Sequence, residues 1–501
     1  MKFTVEPYAF SHTAAECTVL FVSSGSDRGF HFLEKGRELD THMSGFLSGY
    51  AEKNDFDAKR GSIFTIHSHS ENVSADYILV GIGSLADFAV SDWLMVVAKS
   101  GREAKKMHTK NLSIFLEKDI FEKIHPQKIS RGIVEGMTLG TYTFNRYKKM
   151  KKKEHDIELI TVLSDTNEKE LREGIGIGEW TSKGTVLARD LVNEPSAVTT
   201  PTFLSLLAQD IAKKSPSITC DVLEKKDMEK LGMGGILGIA KGSDEDPKLI
   251  TLSYKGDGKK TIMLVGKGVT FDSGGLSLKS QDGMETMKLD MAGAASVLGI
   301  FSVIDKLRPH CSVIGLIPAV ENMPSGRAIK PGDVVRAYNG KTIEIISTDA
   351  EGRVILADAL SYGEKHKKPD AMIDLATLTG ACMIALGEDI AGVFANQKDL
   401  GKQLMESSRQ TGEAIWELPL AESYTDLLKS DVADVRNVSK KRYGGAITAA
   451  LFLKEFVDTT PWAHIDIAGP AFAEKDSPLT PVGGTGFGVR LILEYLTLLP
   501  Q

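Results

Sequence analysis

The chain has 501 residues, 42% hydrophobic and 25% charged, an ordinary globular mix that is long for one core, so two domains are expected. A net charge of -7 argues against a general nucleic-acid binder, and no apolar run approaches the ~20 residues needed to span a bilayer. Cys17, Cys220, Cys311 and Cys382 lie far apart, form neither a disulfide framework nor a zinc ribbon, and fit a reducing compartment. The first residues lack the apolar core of a signal peptide, and a cytoplasmic protein is expected.

Residues 1–165 read as a smaller α/β domain. Short apolar runs at Thr18–Ser23, Tyr77–Ile82, Leu112–Leu116 and Ile157–Leu163 predict strands, and Ser91–His108 has helical spacing. Their alternation predicts a mostly parallel sheet. His67 and His69 would share a strand face, but no third ligand lies near them, and a solvated face is the simpler reading. Arg146–Lys153 is the one strongly basic run, read as a solvated loop before the next strand. Thr166–Leu191 predicts a long helix interrupted by Gly174, Gly176 and Gly178, ended by Pro195 and Pro201. The domain boundary is placed on this connecting helix, residues 166–190, with a larger, mixed-sheet α/β domain over 191–501.

In that second domain, strands are expected at Leu249–Tyr254, Ile262–Val265, Val313–Ile317, Ile343–Ile346, Met372–Ala376 and His464–Ile467. Helices are expected at Met291–Asp305, Val354–Lys365, Ile447–Phe456 and Val489–Leu498. Asp272, Asp349 and Thr377 all follow apolar runs, so they can meet at the carboxyl ends of the strands, where ligands of α/β sheets gather.

The chemistry is concentrated in STDAEGR, Ser347–Arg353. Asp349, Glu351 and Arg353 are spaced by two, and in an extended strand end they would share one face. Packed carboxylates repel, and a divalent cation removes that penalty. Upstream, VGKGVTFDSGGLSLK and MKLDMAGAA add Lys267, Asp272, Lys279 and Asp290. The set holds no His or Cys, so oxygen-rich ligation of Mn²⁺, Mg²⁺ or Zn²⁺ is expected, and four carboxylates carry charge enough for two ions.

These segments, together with DLATLTGA and GGAITAALFL, resemble the leucyl aminopeptidase (cytosol aminopeptidase) family of dinuclear metallopeptidases, strongly over residues 175–498 and weakly over the first 165. The resemblance implies metal ligation by Lys267, Asp272, Asp290, Asp349 and Glu351, with Asp272 and Glu351 shared between two ions, Mn²⁺ or Zn²⁺. It implies that Lys267 ligates as a neutral amine. It implies Lys279 as the oxyanion partner and Arg353 as the holder of a bicarbonate base. A pocket lined by Met287, Thr377, Gly380, Ala468 and Ala471, with the Leu378 carbonyl facing substrate, would take a leucine-sized side chain. The activity implied is release of N-terminal residues, Leu and other apolar ones first, from peptides by a homohexamer.

Two positions depart from the family pattern: Ser347 replaces the usual Asn, and Ser280 the common Pro. GGTGFG at Gly483–Gly488 and GKG at Gly266 imitate phosphate loops but break both patterns. Two rival classes are a nucleic-acid-binding regulator using Arg146–Lys153, and a dinuclear phosphoesterase.

Overall fold

The computed structural model describes residues 1–8, 15–25, 29–67, 76–149 and 156–499. His69 and residues 150–153 of the basic run lie outside them. The chain divides into two compact units, Met1–Ser182 with Lys475–Pro481, and Lys183–Glu474 with Val482–Gln501.

The first unit holds a sheet of seven strands among the described residues. Lys2–Glu6, Leu159–Leu163, Asn111–Phe115, Cys17–Ser24 and Asp76–Gly83 run parallel in that order, and Ile63–Ile66 and Phe30–Phe32 add antiparallel edges. The sheet is mostly parallel, as the alternation predicts. Cys17–Ser24 and Asp76–Gly83 are buried almost throughout, which is why they read as unbroken apolar runs. Helix Val90–Lys106 packs on helix Pro126–Gly140, and the buried Trp93 donates its indole N–H to the Ile129 carbonyl at 2.8 Å. His67 is exposed and lies 3.1 Å from Asp76.

The glycine run does not interrupt its helix, which continues unbroken from Glu168 to Asn193. A Cβ on Gly174 would lie 2.0 Å from the Gln127 carbonyl oxygen, so the missing side chain allows close packing of helices. That contact offsets the roughly 1 kcal/mol a helical glycine costs relative to alanine.

The second unit is built on a sheet of nine strands among the described residues. Its order is Ile415–Glu417, Ala391–Ala395, Trp462–Asp466, Ala371–Ala376, Thr261–Gly266, Ser312–Asn322, Lys248–Tyr254 and Ile218–Leu223, with Gly268–Asp272 added beside Ser312–Asn322. The centre is parallel, the strands next to it on both sides are antiparallel, and the edge pair Ala391–Ala395 with Ile415–Glu417 is parallel, the mixed sheet expected. Ala371–Ala376 and Trp462–Asp466 are buried at every position. Asp374 accepts from the Trp462 indole at 2.8 Å and meets His464 Nδ1 at 2.6 Å, so its buried carboxylate is paired within the sheet. Ser312–Asn322 outruns the predicted Val313–Ile317 by five residues at its carboxyl end, and Thr342–Glu344 belongs to a separate three-stranded sheet.

In the first unit, Glu117 is buried and accepts the Lys35 and Gly36 N–H groups at 2.7 and 2.9 Å, capping helix Glu34–His42 from a distance. Burial pushes its carboxyl up to about 7 against those two bonds. Between the ordinary carboxylate range and pH 7, the folded chain then holds a proton that the unfolded chain has lost. Stability therefore falls as pH rises through that window. Urea midpoints at pH 5 and pH 8 should show wild type losing stability relative to Glu117→Gln; a difference independent of pH would contradict this.

Candidate active site

Three adjacent parallel strands deliver residues to one end of the sheet. Lys267 follows Thr261–Gly266, Thr377 and Leu378 follow Ala371–Ala376, and Ala468 follows Trp462–Asp466. Asp272 ends Gly268–Asp272, directly opposite Asn322 in the register. Asp290 sits between the short turn Met287–Leu289 and helix Ala292–Phe301. Lys279 comes from the loop after Asp272, and Gly380 opens helix Gly380–Leu386.

STDAEGR is not an extended strand end. The strand Thr342–Glu344 stops before it, Ala350 is the N-cap, and Glu351–Lys367 is helical. Glu351 stands in the first turn, where the helix dipole favours a carboxylate. Residues two apart in a helix point in different directions: Glu351 reaches Lys267 Nζ at 2.8 Å, while Arg353 donates Nη1 to the Asn437 carbonyl at 2.9 Å. Asp349 arrives from the turn after the small three-stranded sheet, not from an end of the main one.

The groups converge nonetheless. Asp272, Asp290 and Glu351 each offer an oxygen, all within 4.8 Å of one another, and all three residues are buried. Lys267 Nζ bonds Asp290 Oδ1 at 2.7 Å and the Thr377 carbonyl at 2.8 Å. Lys279 Nζ lies 2.8 Å from Asp272 Oδ2 and 2.6 Å from Asp349 Oδ1. A Cβ on Gly352 would come 2.4 Å from Lys267 Cε, so only glycine lets that lysine pass beneath the helix start.

They line a cavity of about 550 Å³. Lys267, Asp272, Lys279, Met287, Asp290, Asp349, Glu351, Arg353, Thr377, Leu378, Gly380 and Ala468 all reach it, and Leu289, Met383 and Phe472 add apolar wall. Ala471 is buried and does not line it. A larger cleft of about 1010 Å³ elsewhere in this unit is lined by self-paired lysines and glutamates, among them Lys341 with Glu455 at 2.6 Å and Lys454 with Glu422 at 3.1 Å.

The electrostatics favour a cation. Burial drives the Asp272, Asp290 and Asp349 carboxyls upward, and neighbouring carboxylates push Asp272 and Asp290 further. Burial lowers the Lys267 and Lys279 ammonium groups, yet the surrounding carboxylates outweigh it and both end raised. Burial pulls the Arg353 guanidinium down to about 10, opposed by Glu351 and Asp466. Asp290 Oδ2 is buried without a hydrogen-bond partner among the described residues. A buried carboxylate oxygen left unused in a residue clustered with two other carboxylates fits a divalent ion with oxygen ligands.

Three polar residues absent from the predicted set hold this arrangement. Asn322 donates Nδ2 to Asp272 Oδ1 at 2.8 Å and to the Thr348 carbonyl at 2.9 Å, joining the stretches that carry Asp272 and Asp349. Asn437 Oδ1 accepts from Ile346 at 2.8 Å, and its Nδ2 donates to Ser347 at 2.7 Å. Asp466 accepts from the loop after Ala376. Their one sequence signal is a polar residue at or just beyond the end of a buried strand. The departures have local uses: Ser280 caps helix Gln281–Met284 through the Gly283 N–H at 3.3 Å, and Ser347 Oγ accepts the Asp349 N–H at 3.3 Å. The glycine loop at Gly483–Gly488 offers no anion seat, because Glu413 already accepts the Gly488 and Leu491 N–H groups at 3.3 and 2.7 Å.

Residues 186–493 match the model of the cytosol aminopeptidase family catalytic domain, and residues 22–151 that of its N-terminal domain. The chain belongs to the cytosol aminopeptidase family. It is 41% identical over 462 residues to a probable cytosol aminopeptidase of Alkaliphilus metalliredigens, covering 91% of this chain and 92% of that one. With one from Geobacter sulfurreducens it shares 40% over 503 residues, covering 99% of both. Among solved structures it resembles a mutant of tomato leucine aminopeptidase (TM-score 0.88, 32% identity, 99% of this chain and 96% of that one). It also resembles the bottromycin maturation enzyme BotP in complex with Mn (TM-score 0.84, 32% identity, 97% and 99%). The protein is thus a metallo-aminopeptidase, a hydrolase acting on peptides with divalent metal. No described helix is long and apolar enough to cross a membrane.

Outer partners of metal ligands typically set affinity by 10–100-fold. Asn322→Ala should raise the Mn²⁺ concentration needed to shift the unfolding temperature by about that factor. An unchanged Mn²⁺ dependence would show that Asp272 needs no such support.

Proposed function

We propose that this aminopeptidase hydrolyses the N-terminal peptide bond with a preference for Leu and other apolar residues, using two divalent ions, Mn²⁺ or Zn²⁺. The observation that carries the reading is the set of three buried carboxylates within 4.8 Å, one oxygen unused, at the wall of an apolar-sided cavity. Lys267, Asp272, Asp290 and Glu351 would hold one ion, and Asp349 with Asp272 and Glu351 the other. The carboxylates alone favour the Lys267 ammonium; beside bound cations Lys267 would give up that proton and ligate as a neutral amine. When bound, such a pair supplies an acidified water as nucleophile and a seat for the substrate's free α-amino group.

This chain's own groups do the rest. Lys279 stabilises the oxyanion that develops on the scissile carbonyl; it lines the cavity beside Asp272 and Asp349. Arg353 holds bicarbonate as the base, a role supported by its place in the cavity wall and by its buried Nε, which has no partner among the described residues. Met287, Thr377, Gly380 and Ala468 receive the N-terminal side chain, with Ala471 behind them, and the Leu378 carbonyl accepts from substrate. Small residues beside one Met leave a leucine-sized space.

The wider organisation is part of the same reading. Residues 1–165 form the first domain, 166–190 the connecting helix and 191–501 the catalytic domain. The chain assembles as a homohexamer and works in the cytoplasm, with peptides rather than nucleic acid as its ligands. Family membership and a net charge of -7 support this.

Loss of one oxyanion donor costs about 10²–10³ in turnover. Lys279→Ala and Asp349→Ala should each slow hydrolysis of Leu-p-nitroanilide by at least that order, and the wild type should leave p-nitrophenyl phosphate intact. Turnover untouched by either substitution would overturn the mechanism.

A further inference from the structure

Asp466 ends the central strand Trp462–Asp466, is fully buried, and touches none of the carboxylates assigned to metal. Its carboxylate ties together two neighbouring loops that both line the cavity. Oδ1 accepts the Leu378 N–H at 3.1 Å, the Thr379 N–H at 3.4 Å and the Ala468 N–H at 3.2 Å. Oδ2 accepts the Thr379 hydroxyl at 2.7 Å. Thr379 Oγ1 in turn caps helix Gly380–Leu386 through the Cys382 N–H at 3.1 Å. Leu378, Thr379, Gly380 and Ala468 all line the cavity, so one side chain fixes how these two stretches of its wall sit against each other.

We infer that Asp466 is the positioning residue that sets the width of the pocket for the substrate's N-terminal side chain, and so sets the discrimination between leucine and smaller residues. The inference rests on the pocket assignment proposed above. The physical ground is that both stretches are loops whose backbone N–H groups are held by this one carboxylate, so the shape of the wall depends on it. A branched side chain gains by filling a pocket of fixed width, while alanine gains little from either width. Discrimination by a few carbons is worth about 10–200-fold, and it needs walls that do not move apart.

The measurement is kcat and KM for Leu- and Ala-p-nitroanilide on Mn²⁺-loaded enzyme. In Asp466→Ala, the Leu-to-Ala ratio of kcat/KM should fall about tenfold or more, mainly through KM for the leucine substrate. Asp466→Asn can keep Oδ on the three N–H groups and donate to the Thr379 hydroxyl, so it should restore most of the ratio. If Asp466→Ala does not fold, Thr379→Val, which removes the Oδ2 bond, should lower the ratio in the same direction and Thr379→Ser should restore it. Equal losses for both substrates, or an unchanged ratio, overturn the inference, as does an Asn variant that falls as far as Ala, since charge would then be what matters. A wild type with no preference for leucine overturns the pocket assignment together with the inference. A preference that survives in the Ala variant overturns the inference alone.

Discussion

Buried like charges set the terms for everything around the cavity. Asp272, Asp290 and Glu351 are each almost inaccessible to solvent and lie close enough to share one point charge. Removing several carboxylates from water is costly unless positive charge accompanies them, and a residue left unpaired in such a site is strongly destabilising. Lys267 and Lys279 supply part of that charge, one on each side of the cluster. The unused Asp290 oxygen shows that the two ammonium groups do not satisfy the set, which leaves an electrostatic opening that a divalent ion would fill.

The fold serves this cluster by bringing separate chain segments to one sheet end. The central strands are parallel, so Lys267, Thr377 and Ala468 emerge side by side. The added strand Gly268–Asp272 places Asp272 across from Asn322, and a helix start brings Glu351 over Lys267. Amides then lock the pieces: Asn322 joins Asp272 to Thr348, and Asn437 grips the turn that carries Asp349. Such outer hydrogen bonds decide which way a ligand points, and that orientation separates a metal site from a mere concentration of acid.

Much of this was legible in the chain itself. The buried strands announce themselves as apolar runs because both faces are covered, and the acidic and basic residues at their ends stand out against them. The alternation in STDAEGR misleads because five residues are too few to tell period two from the first turn of a helix. The glycines near 176 suggest a break, since the close packing of Gly174 against Gln127 and of Gly178 against Arg131 and Val134 depends on partners distant in sequence. Asn322, Asn437 and Asp466 carry only a weak local signal for the same reason: their meaning lies in long-range register. Ala471, chosen by resemblance, is buried off the cavity while its neighbour Phe472 lines it.

Anomalous diffraction at the manganese edge, on crystals grown with Mn²⁺, tests the central claim most directly. Two peaks about 3.5–4 Å apart, one flanked by Asp290 and the other by Asp349 with Asp272 and Glu351 between them, are expected. A saturated crystal with no peak among these carboxylates, or with manganese only at exposed acids elsewhere, would contradict it.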